Sequence, residues 1–165
     1  MPIFKKRKKH LKIEDAIHAA LSGDAQKNAL AFAAFLRAND LSIEKIDVPG
    51  GWNVNEGKIN IAFVQIFGDR NEFNIVLHIS TYDGKSPADD GLKEFAWAHV
   101  VLCPQGCGGP TFCNESQNRR TILGKEYEST CQSPLAFINP SAHDLIKAQK
   151  LILMFLNRAE QGGSP

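Results

Sequence analysis

Two runs of alternating apolar and polar residues predict a β-hairpin. The first covers residues 59–67 and the second residues 72–80, and the four residues between them, Gly-Asp-Arg-Asn, have the composition of a tight turn. The second run alternates cleanly, whereas Val64 and Ile66 make the second face of the first run partly apolar. Alternation places every second side chain on one face of a strand, and a short polar turn joins such strands as antiparallel neighbours. The pattern therefore predicts an antiparallel hairpin at the centre of a sheet.

Apolar residues at helical spacing predict helices before and after this hairpin. The spacing i, i+3, i+4 predicts a short helix that starts at Ile13 and a second that ends near residues 38–39, with Asp24 as its N-cap. A third helix is predicted to start at Ser86-Pro87, with the proline in its first turn and the Asp89 carboxylate near the positive end of the helix dipole. A fourth is predicted to follow Ser141, three residues before Asp144, and to end before residues 162–163.

The order of these elements predicts the fold class. Residues 103–131 are rich in glycine and polar residues and have little periodicity, so we expect a cysteine-rich loop there, followed by a short strand over residues 135–138. Helices and strands occupy separate stretches, which favours an α+β fold with an antiparallel sheet and helices packed on one of its faces. A length of 165 residues with 43% hydrophobic and 22% charged residues fits one globular domain, which we expect over residues 13–160.

The charges are unevenly distributed along the chain. Lysine and arginine total 19 and aspartate and glutamate 18, which gives a net charge of +1. Residues 1–12 form a flexible basic arm with six basic residues and no acid, so the remaining chain has a net charge of −5. The basic residues of the arm are Lys5, Lys6, Arg7, Lys8, Lys9 and Lys12. Such an arm is either a solvated tail or binds the phosphates of nucleic acid or anionic lipid, and the lack of an aromatic stacking platform favours the tail.

All four cysteines lie within 29 residues of one another: Cys103, Cys107, Cys113 and Cys131. Thiolates are strong zinc ligands, and a zinc ion can hold a loop that has too few apolar residues to fold alone. The spacing is not that of two Cys-x2-Cys pairs, and His99 is close enough to replace one sulfur if the third helix continues to Cys103. A structural zinc site is therefore our prediction, and free thiols, a disulfide or a redox-active thiol remain open.

The chain has no run of about 18 apolar residues, so we expect no membrane-spanning helix. Charged residues interrupt the apolar positions near the N-terminus, which is not typical of a secretory signal. We therefore expect the protein in the reducing cytoplasm, where cysteines are more often metal ligands or thiols than disulfides.

Several motifs stand in a fixed order along the chain: Trp52 with Gly57-Lys58, Cys107-Gly108, Cys113, the Gly-Lys-Glu-Tyr segment 124–127 before Cys131, and the Phe-Ile-Asn-Pro segment 137–140. With these motifs the chain resembles, over about residues 25–155, a group of small uncharacterised bacterial α+β proteins with a cysteine-rich C-terminal element. The resemblance implies the same fold and a metal site, and it implies no particular activity. A remoter likeness of the front half is to small domains of the MmcQ/YjbR kind.

The sequence contains no nucleophile elbow, P-loop, dinucleotide fingerprint or His-Glu-x-x-His motif. We therefore expect a binding or interaction module stabilised by structural zinc rather than an enzyme. One alternative is a small-molecule sensor or enzyme that uses the sheet face around His78, which alternates onto the polar side of its predicted strand. The other alternative is a nucleic-acid-associated protein that uses the basic arm. The sequence does not indicate an oligomeric state.

Overall fold

Helices and strands occupy separate stretches of the computed structural model, which describes residues 11–78, 88–102 and 118–161. These ranges contain four α-helices and seven β-strands. In chain order they are α1 (Ile13–Ala20), α2 (Gly23–Ala38), β1 (Ser42–Lys45), β2 (Gly51–Glu56), β3 (Ile59–Phe67), β4 (Glu72–Leu77), α3 (Asp90–Ala98), β5 (Val100–Leu102), β6 (Asn118–Ile122), β7 (Lys125–Ile138) and α4 (Ala142–Gln161).

The seven strands of the described chain form one antiparallel sheet. The order across the sheet is β1-β2-β3-β4-β7-β5, and β6 pairs with β7 off this path. The predicted central hairpin is β3–β4, joined by a 3-10 turn at Gly68–Arg70 and by Asn71, which has φ +49°. The α+β prediction and the single sheet built on this hairpin are confirmed.

One face of the sheet carries the apolar core. The residues Trp52, Val64, Ile75 and Phe137 are directly opposed across four neighbouring strands, and each is at most 2% exposed. They form one core with apolar side chains of all four helices, including Phe32 of α2. Complete burial of such a side chain contributes about 1.5–3 kcal/mol, so this row is a main source of stability. The helices therefore pack on one face, as predicted.

The predicted capping role of Asp89 and the predicted start of α4 at Ser141 are confirmed, whereas α3 starts at Asp90, later than the Ser86-Pro87 start that the sequence predicted. The carboxylate of Asp89 accepts from the Leu92 amide at 2.8 Å, and α3 begins at the next residue. At α4, the Ser141 hydroxyl accepts from the Asp144 amide at 3.2 Å and donates to the Asp144 carboxylate at 2.7 Å. The bond from Ser141 also lowers the pKa of Asp144. No helix in the described residues is long and apolar enough to cross a membrane, in agreement with the sequence.

The prediction that Asp24 is the N-cap of α2 is wrong. The N-cap is Ser22, and Asp24 lies in the first turn of the helix. The reason is a contact from a distant part of the chain: the Ser22 amide donates to the Asn71 side-chain oxygen at 2.7 Å. The turn of the β3–β4 hairpin therefore fixes the start of α2.

The cysteine-rich loop is shorter than predicted. Residues 118–131 belong to β6 and β7, and the strand predicted at residues 135–138 is the end of the fourteen-residue β7. Leu123 and Gly124 join the two strands with φ values of +49° and +85°, as in a type I′ turn. Leu123 is only 2% exposed, and its burial offsets the strain of about 1–2 kcal/mol that a left-handed residue carries. Residues 103–117 lie outside the described residues, as do the arm residues 1–10 and the predicted strand end at 79–80.

A side chain at Gly50 would collide with the backbone of β3. Gly50 has a φ of +67°, and an added Cβ would lie 2.1 Å from the carbonyl oxygen of Ile66. Gly57 has a similar φ of +56° but nothing within 4 Å of an added Cβ. We expect Gly57→Ala to cost about 1–2 kcal/mol of unfolding free energy, from left-handed strain alone.

We expect Gly50→Ala to cost about 2 kcal/mol more, because the backbone of β3 must move. The Ile66 amide also donates to the Gly50 carbonyl at 3.0 Å, so the movement strains a hydrogen bond as well. Urea unfolding of both variants measures the difference. Equal costs would show that the close approach at Gly50 does not constrain the sheet.

Candidate functional site

Thr130 of β7 joins the two ends of the segment that carries three of the four cysteines. Leu102, the last residue of β5, pairs with Thr130 from one side, and Asn118, the first residue of β6, pairs with it from the other. Neighbouring strands are about 4.8 Å apart, so the Cα atoms of Leu102 and Asn118 are about 10 Å apart. The residues that flank segment 103–117 therefore both pair with the same residue of β7.

Cys131 follows Thr130 directly and is half-buried, whereas Thr130 is 1% exposed. Within the described residues the Cys131 thiol forms no disulfide. Its place on β7 puts it next to both ends of segment 103–117. The register of the sheet therefore brings the fourth cysteine close to where the segment with the other three begins and ends.

The other three predicted ligands, Cys103, Cys107 and Cys113, lie outside the described residues. Among the residues that are described, no group of three His, Cys, Asp or Glu side chains is arranged to hold a metal ion. The four-cysteine ligand set therefore stays a prediction.

The condition for His99 to replace one of the sulfurs is not met. Helix α3 ends at Ala98, and the following residues form β5 instead of a further helical turn. The His99 carbonyl accepts from the Ala136 amide at 3.1 Å, which begins the pairing with β7. At about 3.3 Å per residue, β5 leads the chain about 10 Å away from His99 before Cys103 is reached.

The His99 ring packs against two aromatic rings of the core. Its centroid lies 4.4 Å from that of Phe95 and 4.9 Å from that of Phe137. The Nδ1 atom lies 2.8 Å from the Phe95 carbonyl, which can only accept, so Nδ1 carries the hydrogen and donates it. This bond and the ring contacts fix His99 against the end of α3.

The second face of the sheet carries His78. Asn53, Phe63, Val76 and Ala136 are directly opposed on this face, and in the next row Ile138 is 68% exposed. Phe63 and Val76 are half-buried, so the face is less polar than the sequence indicated.

His78 follows β4 on the same alternation as Val76, and its amide donates to the Ile61 carbonyl at 3.0 Å. Burial lowers the pKa of its imidazole below the ordinary value of 6.5. The neutral ring keeps one nitrogen as a donor and the other as an acceptor at neutral pH.

Two surface grooves lie away from these residues. The larger, of about 1040 Å³, runs between α1 and β1 and is crossed by the ion pair of Glu14 with Arg37, which lowers the pKa of Glu14. The smaller, of about 340 Å³, lies at the start of α2 and α4. Neither groove is lined by His78 or Cys131.

The part of the site that sequence reasoning missed is the β6–β7 hairpin and its register at Thr130. The signal present in the sequence is Gly124 followed by a strand-like alternation through Tyr127. A comparison of the chain with family models, with curated proteins and with solved structures found no match. The resemblances proposed from its motifs therefore stay predictions.

The lowered pKa of His78 predicts how stability depends on pH. The unfolded chain binds a proton at His78 near pH 6.5, and the folded protein binds it only at lower pH. Below about pH 6.5 the unfolded state therefore holds more protons, and the unfolding free energy falls as the pH is lowered from 7 to 5. His78→Gln should reduce this slope, as measured by urea unfolding at several pH values. The same slope in both proteins would contradict the prediction.

Proposed function

We propose that the protein is a cytoplasmic binding module whose cysteine-bearing segment is held by a structural zinc ion. Cys103, Cys107, Cys113 and Cys131 would supply the four thiolates. The observation that carries the proposal is the pairing of both Leu102 and Asn118 with Thr130, the neighbour of Cys131.

The composition of segment 103–117 supports a metal. Its fifteen residues include three cysteines, three glycines and two prolines, and Phe112 is the one large apolar side chain. Such a segment cannot bury enough apolar surface to order itself, whereas zinc binding supplies folding free energy directly. Cys131, on the strand that both ends contact, would tie the segment to the sheet.

Four thiolates would give the zinc a structural role. Catalytic zinc keeps one coordination position for water or substrate, and a closed tetrahedral site does not. In this proposal the protein works by presenting a surface, and the second face of the sheet, with the exposed Ile138 beside half-buried Phe63 and Val76, is the surface we assign to it. A reducing compartment keeps the thiols available for the metal.

The zinc proposal predicts one zinc ion per chain in protein purified without added metal. Cys131→Ser should lose the ion and lower the Tm by about 5 °C or more, which corresponds to about 2 kcal/mol for a chain of this size. Elemental analysis and thermal unfolding measure both effects, and a chelator should reproduce the loss in the unchanged protein.

His99→Gln is the matched control, because the proposed ligand set does not include this ring. It should keep the zinc even where its loss of ring packing lowers the Tm. Zinc absent from the unchanged protein, together with four titratable thiols, would show that the cysteines are free. Zinc lost from His99→Gln and kept in Cys131→Ser would show that the ligand set is wrong.

A second candidate function is the binding of a small molecule at the sheet face around His78. The observation that favours it is the half-buried, neutral imidazole beside Val76 on a face that also carries apolar groups. Apolar walls with a few polar groups are typical of ligand sites. The premise of this candidate is that burial keeps the His78 ring neutral. The urea unfolding of His78→Gln at several pH values tests it, because a ring with an ordinary pKa would not change the pH dependence of stability.

The third candidate, nucleic-acid binding by the basic arm, rests on residues 1–12. Five adjacent positive charges, Lys5 to Lys9, would bind phosphates without reading the base sequence.

At low salt, the full chain should retard an RNA or DNA probe in a gel, and the chain without residues 1–12 should not. The retardation should fall steeply as the salt concentration is raised, because binding of the protein releases counterions from the probe and added salt opposes that release. Equal retardation by both proteins would show that the arm is not responsible.

A further inference from the structure

The β6–β7 hairpin and α3 bring together two aromatic and two basic side chains. Arg120 on β6 is directly opposed to Tyr127 on β7, and Lys125 lies two residues before Tyr127 on the same face. The Lys125 ammonium is 5.4 Å from the ring of Trp97 and 5.5 Å from the ring of Tyr127. The indole N–H of Trp97 donates to the Ile122 carbonyl at 2.8 Å, which fixes Trp97 against the hairpin.

Two hydrogen-bond donors in this cluster are buried and have no partner. They are the Arg120 Nε–H and the Tyr127 hydroxyl. Burial also raises the pKa of the Tyr127 hydroxyl, so it stays a donor at neutral pH. An unmade hydrogen bond at a buried donor is costly, most of all at a charged group, and such groups commonly mark a missing ion or water. The two donors belong to directly opposed residues, whose Cβ atoms lie about 5 Å apart in such a pair.

The charge on this face favours an anion. Arg120 and Lys125 are both positive, and alternation places the acidic residues Glu126 and Glu128 on the opposite face of the hairpin, where Glu128 pairs with Arg119 at 3.7 Å. Within the described residues, neither Arg120 nor Lys125 forms an ion pair. An oxyanion would accept from both unpartnered donors and compensate the two positive charges.

We propose that Arg120, Tyr127, Lys125 and Trp97 form a binding site for a phosphate group. Phosphate oxygens suit the planar guanidinium, and the aromatic rings provide a flat wall beside the anion. The phosphate is either free or carried by an ester whose aromatic part lies against Trp97. The four residues all lie in the described part of the chain and none is a proposed zinc ligand, so this site does not depend on the zinc proposal.

Titration of the full chain with inorganic phosphate, followed by NMR at the Arg120 Nε–H resonance, tests the proposal. We expect saturable binding that Arg120→Gln weakens about tenfold or more, the effect of losing a hydrogen bond to a charged group. Tyr127→Phe should also weaken it about tenfold or more, because the Tyr127 hydroxyl would donate to the charged phosphate. Because Arg120→Gln lacks the Nε–H, its phosphate binding is followed at the Lys125 and Tyr127 resonances. Arg119→Gln is the matched control, since this neighbouring arginine lies on the other face, and it should bind phosphate as the unchanged protein does.

Adenosine monophosphate and adenosine distinguish the two sources of the phosphate. Tighter binding of the nucleotide than of phosphate, with no binding of adenosine, identifies an aromatic phosphate ester. Equal binding identifies free phosphate. No saturable phosphate or nucleotide binding, or equal weakening by Arg119→Gln and Arg120→Gln, would overturn the proposal.

The unliganded Tyr127→Phe protein gives a second readout. Because the hydroxyl has no partner, its removal should leave the Tm of the free protein unchanged or raise it, while phosphate should raise the Tm less than it does in the unchanged protein. A fall in Tm without phosphate would show that the hydroxyl is already satisfied and would count against the site.

Discussion

Backbone hydrogen bonding along β7 is the constraint on which the rest of the structure depends. The backbone groups of this fourteen-residue strand need hydrogen-bond partners, because buried unpaired groups are costly. The end of β7 pairs with β4, where Ile75 is opposed to Phe137, and with β5. The beginning of β7 pairs with β6. The change of partners occurs at Thr130, and every candidate site proposed for the chain except the basic arm lies on β7 or beside it.

The elements that sequence predicted well are those set by nearby residues. The β3–β4 hairpin follows from alternation over two adjacent runs, and the start of α4 follows from a cap made within three residues, at Ser141. The start of α2 was missed because Asn71, almost fifty residues away, holds Ser22. The β6–β7 hairpin was missed because its turn contains Leu123 in place of the asparagine or aspartate that type I′ turns favour. The burial of that leucine stabilises the turn, together with the glycine at its second position.

The same distinction applies to the candidate sites. The clustering of cysteines is visible in the sequence because ligands of one metal ion often lie close along the chain. The relation of Cys131 to the two ends of segment 103–117 depends on the register at Thr130, which no local pattern carries. The His99 alternative assumed that α3 continues, whereas pairing of His99 with Ala136 ends the helix. The opposition of Arg120 and Tyr127 also depends on register, so the sequence shows an arginine and a tyrosine without showing that they meet.

The uneven charge of the chain makes two kinds of anion binding physically distinct. Outside residues 1–12 the net charge is −5, and a zinc ion with four thiolates would make it −7, so the body as a whole repels anions. The arm would attract polyanions through exposed charges, an attraction that falls steeply with salt. An anion site at the β6–β7 hairpin has to attract an anion despite the negative net charge of the body. Buried donors can do so, because salt screens their attraction for an anion only weakly. The unpartnered Arg120 and Tyr127 donors are therefore the stronger basis for selective binding of a small anion, even though the arm carries more charge.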